Sequence, residues 1–212
     1  MKSKKVTPLE ALRIFYISNE LLGSIFKIPQ KHMKNKLPKA VKEIVKKSKK
    51  LSLKELSKYD FGAYHKKADA RYEGYLNSTW KLEEIDLKDC GAWPRMGGLP
   101  DVATKGSILD TVNFIKPYLE DKNKLTLRTS RVLYIEEMMK YADEIVKYIP
   151  IIVMKGGVIR NKLRRASLRK GYKKCKYDID DGNHRVLAYG MLGNTKIQAL
   201  VGTRTGKKNF LK

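Results

Sequence analysis

The chain of 212 residues predicts an α+β fold. Three patterns carry that reading. Apolar residues recur at three- and four-residue spacing near the N-terminus and again over 135–146. Short β-branched runs close on glycine in the last ninety or so residues. Hydrophobic residues make up 42%, enough for a folded core. The expected organisation is a lysine-rich, mainly helical region over 1–120 and a small mixed sheet with helices over 121–212. The polar stretch 120–124 is the expected boundary.

The first helix is expected to start at Thr7, Pro8 and Glu10, placed as N-cap, first-turn proline and capping-box glutamate. Leu9, Leu12, Phe15 and Tyr16 supply its apolar face, and Gly23 is its expected stop. Residues 27–58 hold twelve lysines against Glu43 and Glu55. Val41, Ile44, Val45, Leu53 and Leu56 keep a helical rhythm there, so a basic amphipathic region is expected. From 59 to 100 aromatics become frequent, among them Tyr72, Tyr75, Trp80 and Trp93, and Gly and Pro break any long helix. Residues 91–100 read as an ordered loop. Ser107 and Asp110 suit a capped helix with Ile108, Leu109, Val112 and Ile115 on one face, ending near Pro117.

Beyond the boundary, Leu125, Leu127 and Val132 read as extended. Ile135, Met138, Met139, Ala142, Ile145 and Val146 mark an amphipathic helix. Residues 149–154 form a short buried strand closed by Gly156 and Gly157, and 158–176 carry nine Lys or Arg and no acid. A strand over 176–180, a helix ending at Gly193 and a strand over 196–201 complete the reading.

The 46 basic and 22 acidic residues give a formal charge of +24. An excess of that size predicts a polyanionic partner, DNA or RNA foremost, with an acidic membrane surface or a merely solvated lysine coat as alternatives. Cys90 and Cys175 stand in no metal-ligand or disulfide spacing, which fits a reducing compartment. The longest apolar run is far too short to cross a bilayer. A soluble, cytoplasmic protein without membrane insertion is expected.

The most informative segment runs from Asp178 to Arg185, where three carboxylates, a glycine, a histidine and an arginine fall within eight residues. A strand, a tight glycine turn and a helix start converge there, and a helix N-terminus presents unpaired N–H groups and a positive dipole end to an anion. If 177–180 is extended, Asp178 and Asp180 point the same way, with Asp181 in the turn. The three could hold Mg²⁺ or Mn²⁺ and activate a hydroxyl or water, with His184 in proton transfer. In the competing reading Asp181 caps the helix, and the others are solvated or paired with Lys176 or Arg185. His32 and His65 read as surface residues.

Asp181-Gly182-Asn183-His184-Arg185, with Ala188, Leu192-Gly193 and the upstream Pro150-Ile151-Ile152-Val153, resembles the ParB/sulfiredoxin superfamily, specifically the ParB-like N-terminal domain, over residues 124–204. The resemblance implies an α+β domain that binds nucleotide, such as a nucleoside di- or triphosphate, or backbone phosphate. Its phosphate site would comprise Gly182, Asn183, His184 and Arg185, with Arg128 and Arg131 where the family often places an arginine near the nucleotide. Asn183 stands where sulfiredoxins carry a cysteine, so sulfur reduction is not supported. The basic segment supplies further candidates in Arg160, Arg164, Arg165, Arg169 and Lys170 for a nucleic-acid backbone, with Tyr172 for stacking.

Three functional readings follow. The first is a nucleic-acid-associated ParB-like protein that binds nucleotide or backbone phosphate, extending to a metal-dependent nuclease built on Asp180, Asp181 and His184. The second is a nucleotide-dependent small-molecule kinase or nucleotide hydrolase of the same superfamily. The third is a non-catalytic DNA-binding regulator.

Overall fold

Thr7 opens the first helix as its sequence predicts. Its hydroxyl and backbone N–H both donate to Glu10 Oε2, at 2.9 and 2.7 Å, and Glu10 N–H donates back at 3.2 Å. In the computed structural model, which describes residues 3–25, 30–59, 68–92, 99–124, 131–155 and 171–205, this helix is α1 (Pro8–Ile25). It runs past Gly23, so the expected glycine stop does not end it. The basic region forms α2 (Met33–Lys50) and α3 (Leu53–Lys58), the latter started by a Ser52–Glu55 capping box. Then come α4 (Ala68–Leu76), α5 (Ile108–Glu120), α6 (Arg131–Val146) and α7 (Asn183–Met191).

Ser107 and Asp110 cap α5 as expected, but the helix passes through Pro117 to Glu120. Proline removes one helical donor without forbidding one more turn. Val132, read as extended, lies within α6 and is fully buried. Leu125 and Leu127 lie outside the described residues, as do Trp93 and the Gly156-Gly157 pair.

The strands are β1 (Lys4–Val6), β2 (Ser78–Asp86), β3 (Cys90–Gly91), β4 (Ile151–Lys155), β5 (Tyr177–Asp181) and β6 (Lys196–Arg204). They form one mixed sheet in the order β1-β2-β6-β4-β5-β3. The α+β class therefore holds, but the expected boundary at 120 does not divide the sheet. β2 pairs antiparallel with β6 from Ser78↔Arg204 to Asp86↔Lys196, so the two parts of the chain share one structure. β1, β2 and β3 were not foreseen. Trp80, Leu82 and Ile85 are interrupted by Glu83 and Glu84, and only pairing with β6 makes that stretch a strand.

Both faces of the sheet are covered, which is why β4 is a continuous apolar run without alternation. Ile151 and Val153 join the cluster with α5, α6 and α7, while Ile152 and Met154 join the one with α1, α3 and α4. At the centre of the second cluster, Trp80 donates from Nε1 to the Tyr75 carbonyl at 2.9 Å and lies over Gly202. A Cβ at Gly202 would overlap the Trp80 ring and Met154 Sδ. Replacing Gly202 with valine is therefore expected to cost about 1–3 kcal/mol through overpacking. A lowered urea midpoint at unchanged m would register it; an unchanged midpoint would mean that Trp80 does not lie there.

Candidate functional site

The chain leaves β5 through Gly182, whose φ of 102° is the left-handed region that favours glycine. A second constraint acts at the same position, since a Cβ would come within 2.8 Å of Ile151 Cγ2 and 3.0 Å of Arg185 Nη2. Gly182 lets the strand turn directly into α7, and its carbonyl accepts the first helical hydrogen bond from Val186 N–H at 2.9 Å. Among the described residues no side chain caps the helix. The first-turn N–H groups, which have no intrahelical acceptor, thus converge on the turn with the positive dipole end.

Two buried arginines hold the aspartates behind this turn. Arg185, 1% exposed, donates from Nη2 to Asp181 Oδ2 at 2.7 Å and to Ser18 Oγ at 2.8 Å, and from Nη1 to the Ile149 carbonyl at 3.2 Å. Ser18 Oγ in turn donates to Asp181 Oδ2 at 2.7 Å. Burial lowers the Arg185 pKa, and Asp181 only partly offsets that. Arg71 of α4 is likewise buried, its Nε 2.8 Å from Asp180 Oδ2 and its guanidinium 4.3 Å from the Phe15 ring centre. Burial opposes the charge on Arg71, but Asp180 outweighs it, so the pKa is raised. Tyr75 donates to the same carboxylate oxygen at 2.8 Å, and burial followed by the Asp180 charge pushes its hydroxyl well above the usual tyrosine range.

These contacts correct the metal-site expectation. Asp178 and Asp180 flank Ile179, which joins the α5–α7 cluster, so both aspartates face the other side of the sheet as alternation requires. Asp180 is committed to Arg71 and Tyr75, Asp181 to Arg185 and Ser18, and Asp178 is buried against Gly91. Among the described residues no group of three or more His, Cys, Asp or Glu side chains stands in metal-holding geometry. Asp178, Asp180 and Asp181 do not form the joint ligand set expected for Mg²⁺ or Mn²⁺. As a catalytic candidate Asp180 is also set back, at 1% exposure. Arg185 serves the protein's own carboxylate, so its expected role as a phosphate donor is not what its visible hydrogen bonds do.

In front of the turn a pocket of about 120 Å³ is lined by Leu22, Tyr134, Met138, Asp181, Gly182, Asn183, His184 and Arg185. His184 is half-buried and meets Tyr134 edge-on, with ring centres 4.7 Å apart. Asn183 Oδ1 is buried there without a hydrogen-bond partner among the described residues. A wider depression of about 440 Å³, bordered by Glu84, Asp143, Lys147 and Lys196, contains none of the expected site residues. The smaller pocket is the better candidate because it combines the start of α7 with the motif side chains.

Of the remaining candidates, Arg128, Arg160, Arg164, Arg165, Arg169 and Lys170 lie outside the described residues, as does His65. Arg131 begins α6, and His32 is exposed at the start of α2. Tyr172, expected to stack on bases, instead donates to Asp101 Oδ1, and Lys173 reaches Asp110 Oδ2 at 3.0 Å. Sequence reading missed Ser18, Arg71, Tyr75 and Tyr134. The available signal was a polar residue in an apolar setting: Ser18 follows Phe15-Tyr16-Ile17, and Arg71 stands four residues before Tyr75 on one helix face.

No family model, curated protein or solved structure matches the chain.

Arg71→Met alone is expected to cost about 3–5 kcal/mol, because it leaves the Asp180 charge buried and unpaired. Arg71→Met combined with Asp180→Leu is expected to recover most of that loss. Urea denaturation of the two single variants and the double completes the cycle. Additive losses would mean that the pair is not coupled.

Proposed function

We propose that this protein binds nucleic acid and seats one backbone or terminal phosphate at the N-terminus of α7. The observation that carries the reading is the uncapped helix start of Gly182 to Arg185 opening into a pocket with His184 and Asn183 on its wall. Main-chain N–H groups of the first turn and the side chains of Asn183 and His184 are the donors, while Arg185 neutralises the neighbouring Asp181 carboxylate. The charge of +24 supports a polymeric anion over a small neutral ligand. The resemblance of residues 124–204 to ParB-like domains points the same way, and a nucleic-acid partner suits a cytoplasmic location.

The pocket's size supports one of the phosphate readings over the other. About 120 Å³ takes a phosphate group, whereas sites that enclose a whole drug-sized ligand begin at about 300 Å³. That favours a phosphate on a polymer over a nucleotide enclosed for kinase or hydrolase chemistry. Binding, rather than metal-dependent cleavage, is the activity we assign, because Asp180 and Asp181 are spent on arginines.

Fluorescence anisotropy with a 5′-phosphorylated oligonucleotide and its dephosphorylated twin tests the assignment. His184→Ala with Asn183→Ala is expected to weaken binding of the phosphorylated strand about tenfold, the loss of one or two charge-assisted hydrogen bonds. Inorganic phosphate is expected to raise the melting temperature of the unaltered protein but not of the double variant. Nucleic-acid binding that is absent or indifferent to salt would overturn the reading. Strong stabilisation by a free nucleoside triphosphate without oligonucleotide binding would replace it with the kinase or hydrolase alternative.

A further inference from the structure

The α2 helix carries eight lysines and one glutamate in eighteen residues. Leu37 and Val41 are buried against the fold, with Ala40, Ile44 and Val45 packed beside them. Lys36, Lys39, Lys42, Lys46, Lys47, Lys49 and Lys50 are all exposed. At 100° per residue they fall within one arc of about 160°, and from Lys36 to Lys50 they extend about 21 Å along the axis. Lys47 pairs with Glu20 at 3.8 Å. For the other six, no ion pair occurs among the described residues.

Helix electrostatics explain part of this face but not the rest. Cations in the last turn complement the negative end of the dipole, which accounts for Lys47, Lys49 and Lys50. Lys36, Lys39 and Lys42 lie between the first and last turns of a helix whose first turn holds no acid and whose N-cap, His32, offers no side-chain cap. Lysines there gain nothing from the dipole and repel one another at three-residue spacing. A partner that supplies negative charge along the whole face removes that penalty.

We infer that the exposed lysine face of α2 is the docking surface for the sugar-phosphate backbone of duplex nucleic acid. Over about 21 Å a duplex presents about 12 phosphate charges, so six unpaired lysines find partners along its groove edge. The helix has no arginine and no aromatic residue, hence no planar fork for base edges and no platform for stacking unpaired bases. Backbone contact without sequence readout is what point-charge lysines provide. A lipid surface fits less well, because an interfacial helix inserts its apolar face and that of α2 is already buried in the fold.

The inference rests on the nucleic-acid reading above, yet it concerns a different surface. Binding of a blunt, unphosphorylated 20-base-pair duplex is measured by anisotropy across a salt series. Lys36→Gln, Lys39→Gln and Lys42→Gln together are expected to weaken binding tenfold or more at low salt and to flatten the log–log salt slope by about 3. Their melting temperature is expected to hold or to rise by about 1–3 °C, as like-charge repulsion is relieved. The control removes the same charge elsewhere, from Lys116, Lys140 and Lys147, which are exposed on α5, on α6 and directly after α6. It should stay within about twofold, since non-contacting charges act only through a screened field.

An equal loss in the control would overturn the assignment in favour of general charge, and so would an unchanged slope in the α2 variant. Tighter binding to phosphatidylserine vesicles than to duplex would also overturn it, in favour of a membrane surface. The phosphate-induced melting shift at α7 should survive in the α2 variant. If that shift is absent in the unaltered protein while the α2 effect holds, the pocket reading fails and the docking surface stands.

Discussion

Two neighbouring aspartates at the end of β5 are pulled apart by two buried arginines, and the rest of the site depends on that separation. Asp180 is claimed by Arg71 from α4, and Asp181 by Arg185 from α7, with Ser18 of α1 joining the second pair. Three helices are thereby fastened to one strand end. Buried charges are tolerated only when paired and hydrogen-bonded, so each arginine position is dictated by the carboxylate it faces. The turn between the two pairs has little freedom, and Gly182 is the residue whose backbone can make it.

That arrangement divides the charged groups by role. Carboxylates and arginines behind the turn hold the scaffold together, while the helix start, Asn183 and His184 line the pocket in front of it. A cluster that looks like a metal or acid–base centre in one dimension becomes, in three, the support of the turn from β5 into α7. The scaffold is also shared across the whole chain. Pairing of β2 with β6 ties the lysine-rich N-terminal part to the motif-bearing part in one sheet. The α2 helix also packs into the same hydrophobic cluster as α7, so its lysine face and the α7 pocket belong to one folded unit.

Much of the helical framework was legible because its signals are local. Thr7 with Glu10 and Ser107 with Asp110 are capping boxes contained within four residues, and each starts the helix it predicts. The β5–Gly182–α7 turn was legible for the same reason. Pro117 misled because Tyr118 and Leu119 beyond it pack against the core, and Gly23 because a glycine is tolerated inside a helix at modest cost. β1, β2 and β3 escaped because strands are defined by partners, and the partner of β2 lies more than a hundred residues away.

For the site, residue chemistry alone established that carboxylates and a glycine turn meet near Gly182, and that the chain carries a formal charge of +24. Which carboxylates remain usable is a matter of tertiary contact, because Arg71 and Ser18 reach β5 across more than a hundred positions of sequence. Local sequence can name a donor and an acceptor, since their chemistry travels with the residue. It cannot say which of them have already found each other, since desolvation and pairing arise only when distant segments exclude water from the same place.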